Sequence, residues 1–325
     1  MFNKIPSIYS SEELLDIAFK KTQKIQITDR NYIYRKKKTI IAKIDTFSTY
    51  IINTLENYVK KFPSINNLNL FYQDIIDIKF DINKLKKSLG AADWAKKTCQ
   101  EIYSKQSKSL KKSKNIDFLI NKQQEIYGRI SSVVKQIRKE LDYLSDVQKE
   151  IKKFPEILEI PTIVIAGYPN VGKSSILQKL SSAKPIIAVY PFTTKEIYVG
   201  QIISKERHIK KIYQIIDTPG LLDRPFSKRN DIEKQALSAL SNLADIILFI
   251  LDLSETCGYS IKDQMHLLSH IEEIFSNSDL IVIENKADYK KTDSTNLRVS
   301  CKTNEGIDLL IDEIFSYYKS KDGDE

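Results

Sequence analysis

Gly167-Tyr168-Pro169-Asn170-Val171-Gly172-Lys173-Ser174 fits G-x-x-x-x-G-K-[ST]. Such a loop wraps backbone N–H groups around the α- and β-phosphates of a nucleotide while its lysine, here Lys173, reaches the β- and γ-phosphates. Ser174 offers a hydroxyl to Mg²⁺, and Ser175 completes the nucleotide-contacting set. Many nucleoside triphosphatases share that loop, and three later motifs narrow it. Asp217-Thr218-Pro219-Gly220 is a D-x-x-G in which Asp217 approaches Mg²⁺ and the Gly220 N–H meets the γ-phosphate. Asn285-Lys286-Ala287-Asp288 is an N-K-x-D. Its final carboxylate presents two acceptors to the N1–H and exocyclic amine of guanine, a donor pair that adenine lacks, so the motif selects GTP over ATP. Ser300, Cys301 and Lys302 follow a further apolar run, where backbone N–H groups can receive the guanine carbonyl oxygen.

Between the glycine loop and Asp217 lies Tyr190-Pro191-Phe192-Thr193-Thr194. A nucleotide switch needs a hydroxyl there that binds Mg²⁺ only when the γ-phosphate is present, because that contact orders the loop. Thr194 is the expected ligand, alongside Ser174 and Asp217, and Thr193 is the neighbouring alternative. Lys173 and Thr194 are thus candidate catalytic groups. The residue after Gly220 is Leu221, where many small GTPases carry a water-orienting glutamine. Leucine cannot orient water, so unaided turnover is expected to be slow.

These motifs need elements to aim them. Thr162 to Ala166 reads as a strand entering the glycine loop and Ser174 to Leu180 as the helix leaving it, which points a helix N-terminus at phosphate. Further β-branched runs lie at 196–203, 210–216, 246–252, 280–284 and 297–299, with helical stretches near 231–243, 261–275 and 306–318. The fold class this predicts is α followed by α/β: a helical bundle, then a P-loop domain with a doubly wound, mostly parallel sheet bearing one antiparallel edge strand. The expected division is 1–157, 158–320 and an acidic tail 321–325 without fixed structure.

The first half holds only two of the nine glycines, as a bundle should. Ser10 and Glu13 form a capping-box pattern before Leu14 and Leu15. A long helix is predicted from about 31 to 62, ended by Pro63 and carrying Arg35-Lys36-Lys37-Lys38. Helices follow at 70–80 and 85–103, with Trp94 as a core anchor. Ile126, Ile130, Val133, Val134, Ile137, Leu141, Leu144, Val147 and Ile151 predict one last helix, packed in the bundle or, alternatively, in a free-standing coiled coil. The cluster Lys105, Lys108, Lys111, Lys112 and Lys114 lacks apolar spacing and reads as a loop or frayed helix.

Charge is lopsided: residues 1–150 carry 29 Lys/Arg against 17 Asp/Glu, and the remainder 22 against 25. A basic half joined to a nucleotide-binding half points to a polyanion, either nucleic acid or an acidic membrane surface, with a solvated lysine-rich face as the plain alternative. Three scattered cysteines give no disulfide framework. The apolar run Ile246 to Leu251 is too short to cross a bilayer, and Lys4, Glu12, Glu13 and Asp16 break any signal-peptide pattern. A cytoplasmic monomer without membrane attachment is the expectation. His266 and His270 stand i, i+4, but Leu267 occupies the glutamate position of H-E-x-x-H, so a zinc site is not expected.

Gly-Tyr-Pro-Asn-Val-Gly-Lys-Ser-Ser, Tyr-Pro-Phe-Thr-Thr-Lys and Asp-Thr-Pro-Gly-Leu-Leu-Asp-Arg-Pro resemble the Obg-related GTPases. Ser11 to Phe19, Lys61-Phe62-Pro63-Ser64 and Leu85 to Trp94 resemble the helical domain of the nucleolar GTP-binding protein (Nog) family. The resemblance spans roughly residues 5 to 318 and implies GTP hydrolysis in large ribosomal subunit assembly. It also implies a basic bundle docked on precursor rRNA and ribosomal proteins. Eukaryotic members continue past the G domain, so a short archaeal-type form without that extension is the expectation. The resemblance further implies K⁺ activation through Asn170, since asparagine at this loop position accompanies potassium-dependent GTPases. The other reading of Asn170 is a turn former that tolerates left-handed backbone.

Overall fold

In this computed structural model the described residues are 2–189, 196–206, 209–224, 231–290 and 295–322. The chain divides into two units: 1–67 with 80–152, and 68–79 with 153–325.

The first unit begins at α1 (Ser11–Gln23), where Ser10 accepts from the Glu13 N–H while Glu13 reaches back to the Ser10 N–H. That reciprocal cap contributes about 1 kcal/mol. The long helix α2 (Tyr32–Lys61) is capped by Asn31 and buries Ile40, Ile44, Phe47, Ile51, Leu55 and Tyr58, one stripe at three- and four-residue spacing. α3 (Leu70–Lys79) belongs to the other unit. α4 (Ile82–Lys112), α5 (Ile116–Gln136) and α6 (Arg138–Ile151) complete a bundle around α2. At its centre the Phe47 ring lies 4.7 Å from Phe19 and 4.4 Å from Tyr127.

Three expectations change here. The last apolar seam spans two helices, broken at Ile137 (φ −96°, ψ 21°). Ile137 is itself buried, so the stripe runs on through the break and its periodicity does not register it. The seam is covered within the bundle and forms no free coiled coil. Lys105, Lys108, Lys111 and Lys112 ride on the continuous helix α4; lysine is a good helix former and needs no apolar spacing on a solvated face. Trp94 is 47 % exposed and is not a core anchor. The buried stripe of α4 runs through Leu85, Ser88, Ala92, Ala95, Cys99 and Ile102, and Trp94 stands two residues from Ala92, on another face.

The second unit is a seven-stranded sheet in the order β2-β3-β4-β1-β5-β6-β7. Its elements are β1 (Thr162–Ala166), α7 (Lys173–Leu180), β2 (Ile186–Val189), β3 (Glu196–Glu206), β4 (Ile209–Asp217), α8 (Asp231–Ser241), β5 (Ile246–Leu251), α9 (Ile261–Ile274), β6 (Asp279–Glu284), β7 (Leu297–Arg298) and α10 (Ile307–Asp322). β1 is buried along its whole length between β4 and β5, parallel to both, as an unbroken apolar run in a doubly wound sheet should be. β3 alone runs against its neighbours, but it is not the edge strand as expected, because β2 adds outside it. Sequence reading missed β2, which is four residues long and leaves Ile186 and Ile187 exposed.

The units also divide differently from the expected 157/158 border. The second unit begins at Lys153 and claims α3. The Tyr72 hydroxyl donates to Pro155 O (2.6 Å) and accepts from the Ile157 N–H (2.8 Å), and Asn242 Nδ2 donates to Asp74 (2.6 Å). Lys321 and Asp322, placed in the tail by sequence, fall at the end of α10, and 323–325 lie outside the described residues. No helix among the described residues is long and apolar enough to cross a membrane.

Candidate nucleotide-binding site

β1 delivers the chain to a loop that three left-handed residues shape: Gly167 (φ 139°), Asn170 (φ 63°) and Gly172 (φ 106°). Both glycines are favoured by φ, and at Gly167 backbone space requires glycine as well. A Cβ on Gly167 would stand 2.7 Å from Ile250 O, and one on Gly172 would stand 2.1 Å from Asn285 Nδ2. Asn170 is exposed and realises the turn-former reading. Tyr168 is buried and its ring stacks on Tyr259 at 4.2 Å, while Val171 is sealed in the core. Pro169 holds the crest between them at intermediate exposure, and Ser175 is exposed on the first turn of α7.

Lys173 turns back across the loop, its ammonium donating to Gly167 O and Tyr168 O, each at 2.8 Å. Burial pulls its pKa down, and the carboxylates of Asp217 and Asp223 oppose that pull. Ser174 Oγ donates to Asp217 Oδ2 at 2.8 Å, so the two expected Mg²⁺ ligands of the described chain meet. Asp217 is fully buried, and its Oδ1 has no hydrogen-bond partner among the described residues. Burial drives its pKa upward despite the Ser174 bond and nearby Lys173. Leaving a buried carboxylate oxygen unmatched is expensive. An adjacent hydroxyl and carboxylate with a vacant lone pair are hard oxygen donors of the kind Mg²⁺ takes, so the residues fit that ion. Thr193 and Thr194, the remaining ligand candidates, lie outside the described residues.

The Gly220 N–H, expected to face the γ-phosphate, donates here to Asp223 Oδ2 at 2.8 Å. Leu221 is buried and turned from solvent. In the neighbouring segment Arg224 pairs with Glu233 at 2.7 Å, while Lys228 and Arg229 lie outside the described residues.

The base-recognition motifs leave β6 and β7. Asn285 Nδ2 donates to Val171 O at 2.8 Å, tying the N-K-x-D strand to the glycine loop. Asp288 accepts from Ser300 Oγ at 2.7 Å, and Lys302 stands 4.0 Å from its other oxygen. The Ser300 N–H is committed to Glu305 O (2.9 Å), so of the three residues expected to offer an N–H to guanine, Ser300 does not. Cys301 lies beside Lys302, Ser175, Gln178 and Lys179 around a cavity of about 540 Å³, and burial pushes its thiol up to about 11.

Sequence reasoning missed the group that holds Lys286. Asp252, fully buried just after β5, accepts from Lys286 Nζ (2.7 Å), the Cys257 N–H (2.8 Å), Thr256 Oγ1 (3.0 Å) and Ser254. Gln264 clamps the same loop, accepting from the Asp252 N–H and donating to Asp252 O and Tyr259 O. Burial alone would raise the Asp252 pKa, but the bonds from Lys286 and Ser254 outweigh it and hold the carboxyl below the usual range. The signal was available: Asp252 follows a strand end, as every other motif does. His266 and His270 meet each other edge-on at 4.3 Å, and no metal-holding group of three or more His, Cys, Asp or Glu exists among the described residues.

A left-handed glycine loop opening a helix beside a parallel strand, with Ser174 against Asp217 and an N-K-x-D behind it, defines a P-loop GTPase domain. Residues 2–157 match the model of the NOG1 N-terminal helical domain, and residues 231–288 match that of nucleolar GTP-binding protein 1 (NOG1). The chain belongs to the NOG1 family. An uncharacterized protein of Methanocaldococcus jannaschii is 36% identical over 291 residues, 88% of this chain and 81% of that one. Nucleolar GTP-binding protein 1 of Encephalitozoon cuniculi is 32% identical over 340 residues, and that of Saccharomyces cerevisiae 33% over 288. This chain spans 63% and 44% of those two relatives. A crystal structure of a Plasmodium falciparum nucleolar GTP-binding protein 1 overlays with TM-score 0.45 at 32% identity, covering 53% of this chain and 93% of that one.

Proposed function

We propose that this chain binds Mg²⁺·GTP, hydrolyses it slowly to GDP and phosphate, and acts in large ribosomal subunit assembly. On this reading its basic helical unit docks as a cytoplasmic monomer on precursor rRNA and ribosomal proteins. The observation that carries the nucleotide chemistry is the Ser174–Asp217 pair with its unmatched buried oxygen, next to a lysine already folded over the loop. Bound Mg²⁺ supplies charge neutralisation at the phosphate oxygens. Lys173 is the protein's own cation for the β- and γ-phosphates; Asp288 and Asn285 select and anchor guanine, and Thr194 or Thr193 closes the metal site. The assembly role rests on family membership and on the names its relatives carry, together with the excess of Lys/Arg in residues 1–150.

A second reading has a specific observation in its favour. Leu221, at the position after Gly220, is buried and cannot orient water, and Asp223 holds the Gly220 N–H. The chain could then serve as a nucleotide-dependent RNA-binding sensor with negligible turnover. K⁺ near Asn170 is the alternative source of the missing charge. Single-turnover hydrolysis in KCl and in NaCl, with and without large ribosomal subunits, separates these. Stimulation by subunits supports the assembly GTPase, its absence supports the sensor, and equal rates in the two salts remove the potassium role.

A further inference from the structure

At one end of the first unit, the opening turns of α2 rise beyond the bundle: Tyr32, Ile33 and Tyr34 are 63, 61 and 57 % exposed, and burial on this helix begins only at Ile40. Beside them lies a groove of about 450 Å³. Its floor is aliphatic, from Ile25, Ile27, Ile40 and Ile120, and its rim carries the Tyr32 ring with Arg35, Lys36 and Lys43. Residues 30–43 hold six Lys/Arg and no Asp or Glu. The helix N-terminus itself is not the attraction, since Asn31 Oδ1 already accepts from the Ile33 and Tyr34 N–H groups.

The nearby acids are already matched. Asp29 takes Lys38 at 2.8 Å, and Glu125 takes Lys122 at 2.6 Å and Gln106 at 2.9 Å. No carboxylate among the described residues lines the groove. Of its three cations, Arg35 stands 5.5 Å from the Tyr32 centroid. An aliphatic floor, an aromatic face beside it and three cations around it match a planar base flanked by two phosphates. A duplex hides its base faces, so the fitting chemistry is an unpaired or bulged nucleotide of RNA.

We propose that this groove holds one unpaired RNA nucleotide, its base stacked on Tyr32 over the isoleucine floor and its phosphates on Arg35, Lys36 and Lys43. The proposal rests on the RNA-docking reading above and sharpens it from a diffuse basic surface to one seat. Sequence tolerance follows, because every base has a face to stack. Salt sensitivity follows as well, because each neutralised phosphate releases counterions.

The test is equilibrium binding of a 2-aminopurine-labelled eight-nucleotide single strand, and of an RNA duplex of equal length, to the full chain. The variants are Tyr32→Ala, Tyr32→Phe, and Lys36→Gln with Lys43→Gln; Tyr32 and Lys36 are exposed and Lys43 is half-buried, and circular dichroism checks their folding. Expected are quenching of 2-aminopurine, preference for the single strand, and a loss of roughly 5- to 150-fold for Tyr32→Ala with the salt slope unchanged. Tyr32→Phe should bind as the parent does, and the lysine pair should lower the salt slope by about one to two units. Unaltered binding by Tyr32→Ala, equal affinity for the duplex, or tighter capture by phosphatidylserine vesicles than by RNA would overturn the seat. Ribosomal-subunit docking measured on the same variants tells the two readings apart: subunit binding that survives Tyr32→Ala while oligonucleotide binding falls keeps the seat and removes it from docking.

Discussion

The two ends of the nucleotide site are built on opposite principles. At the base end most polar groups are matched within the protein: Asp252 accepts from Lys286 and its own loop, Gln264 clamps that loop, and Ser300 fixes Asp288, while the buried Oδ1 of Asn285 finds no partner among the described residues. At the phosphate end, Asp217 Oδ1 and Thr218 Oγ1 are buried without partners among the described residues. A matched network holds a fixed shape and recognises one partner by geometry. An unmatched set raises the energy of the empty site and is relieved by whatever supplies the missing contacts. On the proposed function, the guanine contacts start from a largely matched set, whereas the phosphate contacts would complete buried atoms that the protein leaves unmatched.

Four substitutions probe that contrast, in falling order of expected effect. Asp288→Asn replaces an acceptor with a donor that suits the second carbonyl of xanthine. The affinity ratio of GTP to xanthosine triphosphate should fall on the order of 10⁴-fold, read by displacement of a fluorescent guanine nucleotide; an unchanged ratio would mean that Asp288 does not read the base. Asp217→Asn should lower single-turnover hydrolysis by roughly 10²- to 10³-fold. It should leave the melting temperature of the nucleotide-free protein equal or higher, because a buried, partly unmatched carboxylate is removed. A sharp drop in melting temperature would instead place Asp217 among the matched groups.

Asp252→Asn attacks the matched end and should cost about 1–3 kcal/mol in denaturant unfolding at neutral pH. The sign of its pH dependence is fixed by the depressed carboxyl: its stabilisation is present above the ordinary Asp value of 3.8 and fades as pH falls through the lower folded value. The asparagine variant should lose that portion of the acid sensitivity, and parallel unfolding curves from pH 5 to pH 2 would refute the assignment. Asp223→Asn has the smallest effect. It frees the Gly220 N–H from a competing carboxylate, so the GTP-to-GDP affinity ratio should rise by roughly 2- to 10-fold, measured by calorimetry. An unchanged ratio would mean that Asp223 yields its place without penalty.

Most of the site was legible because its motifs are local. Gly167, Gly172, Asp217 and Asp288 each sit within six residues of a strand end, and a doubly wound sheet brings those ends to one crevice whatever the chain does between them. The four-residue β2 was not legible, since it closes an edge by backbone pairing to β3 with two isoleucines outward. Nor was the break at Ile137, which an apolar stripe does not record. Trp94 misled because size alone suggested burial, whereas its angular place on α4 decided otherwise. α3 carried no mark of which unit it would join, a choice made by Tyr72 and Asp74 with partners 83 and 168 residues away. Asp252 was passed over because no motif is named for it, although its position relative to β5 copies that of the residues that were found.

The Asn285 side chain lies so close against Gly172 that no methyl group fits between them, and it holds the loop by a single bond to Val171 O. Cradle and reader are thus fastened at a set spacing, and the protein cannot loosen its hold on a nucleotide by sliding one past the other. On the proposed function, escape then begins with the ligand lifting at one end while the protein stays as it is, and slow spontaneous release of a fluorescent guanine nucleotide is the expected outcome. A factor that hastens it has one small fastening to undo, the amide of Asn285, and need not disturb the sheet at all.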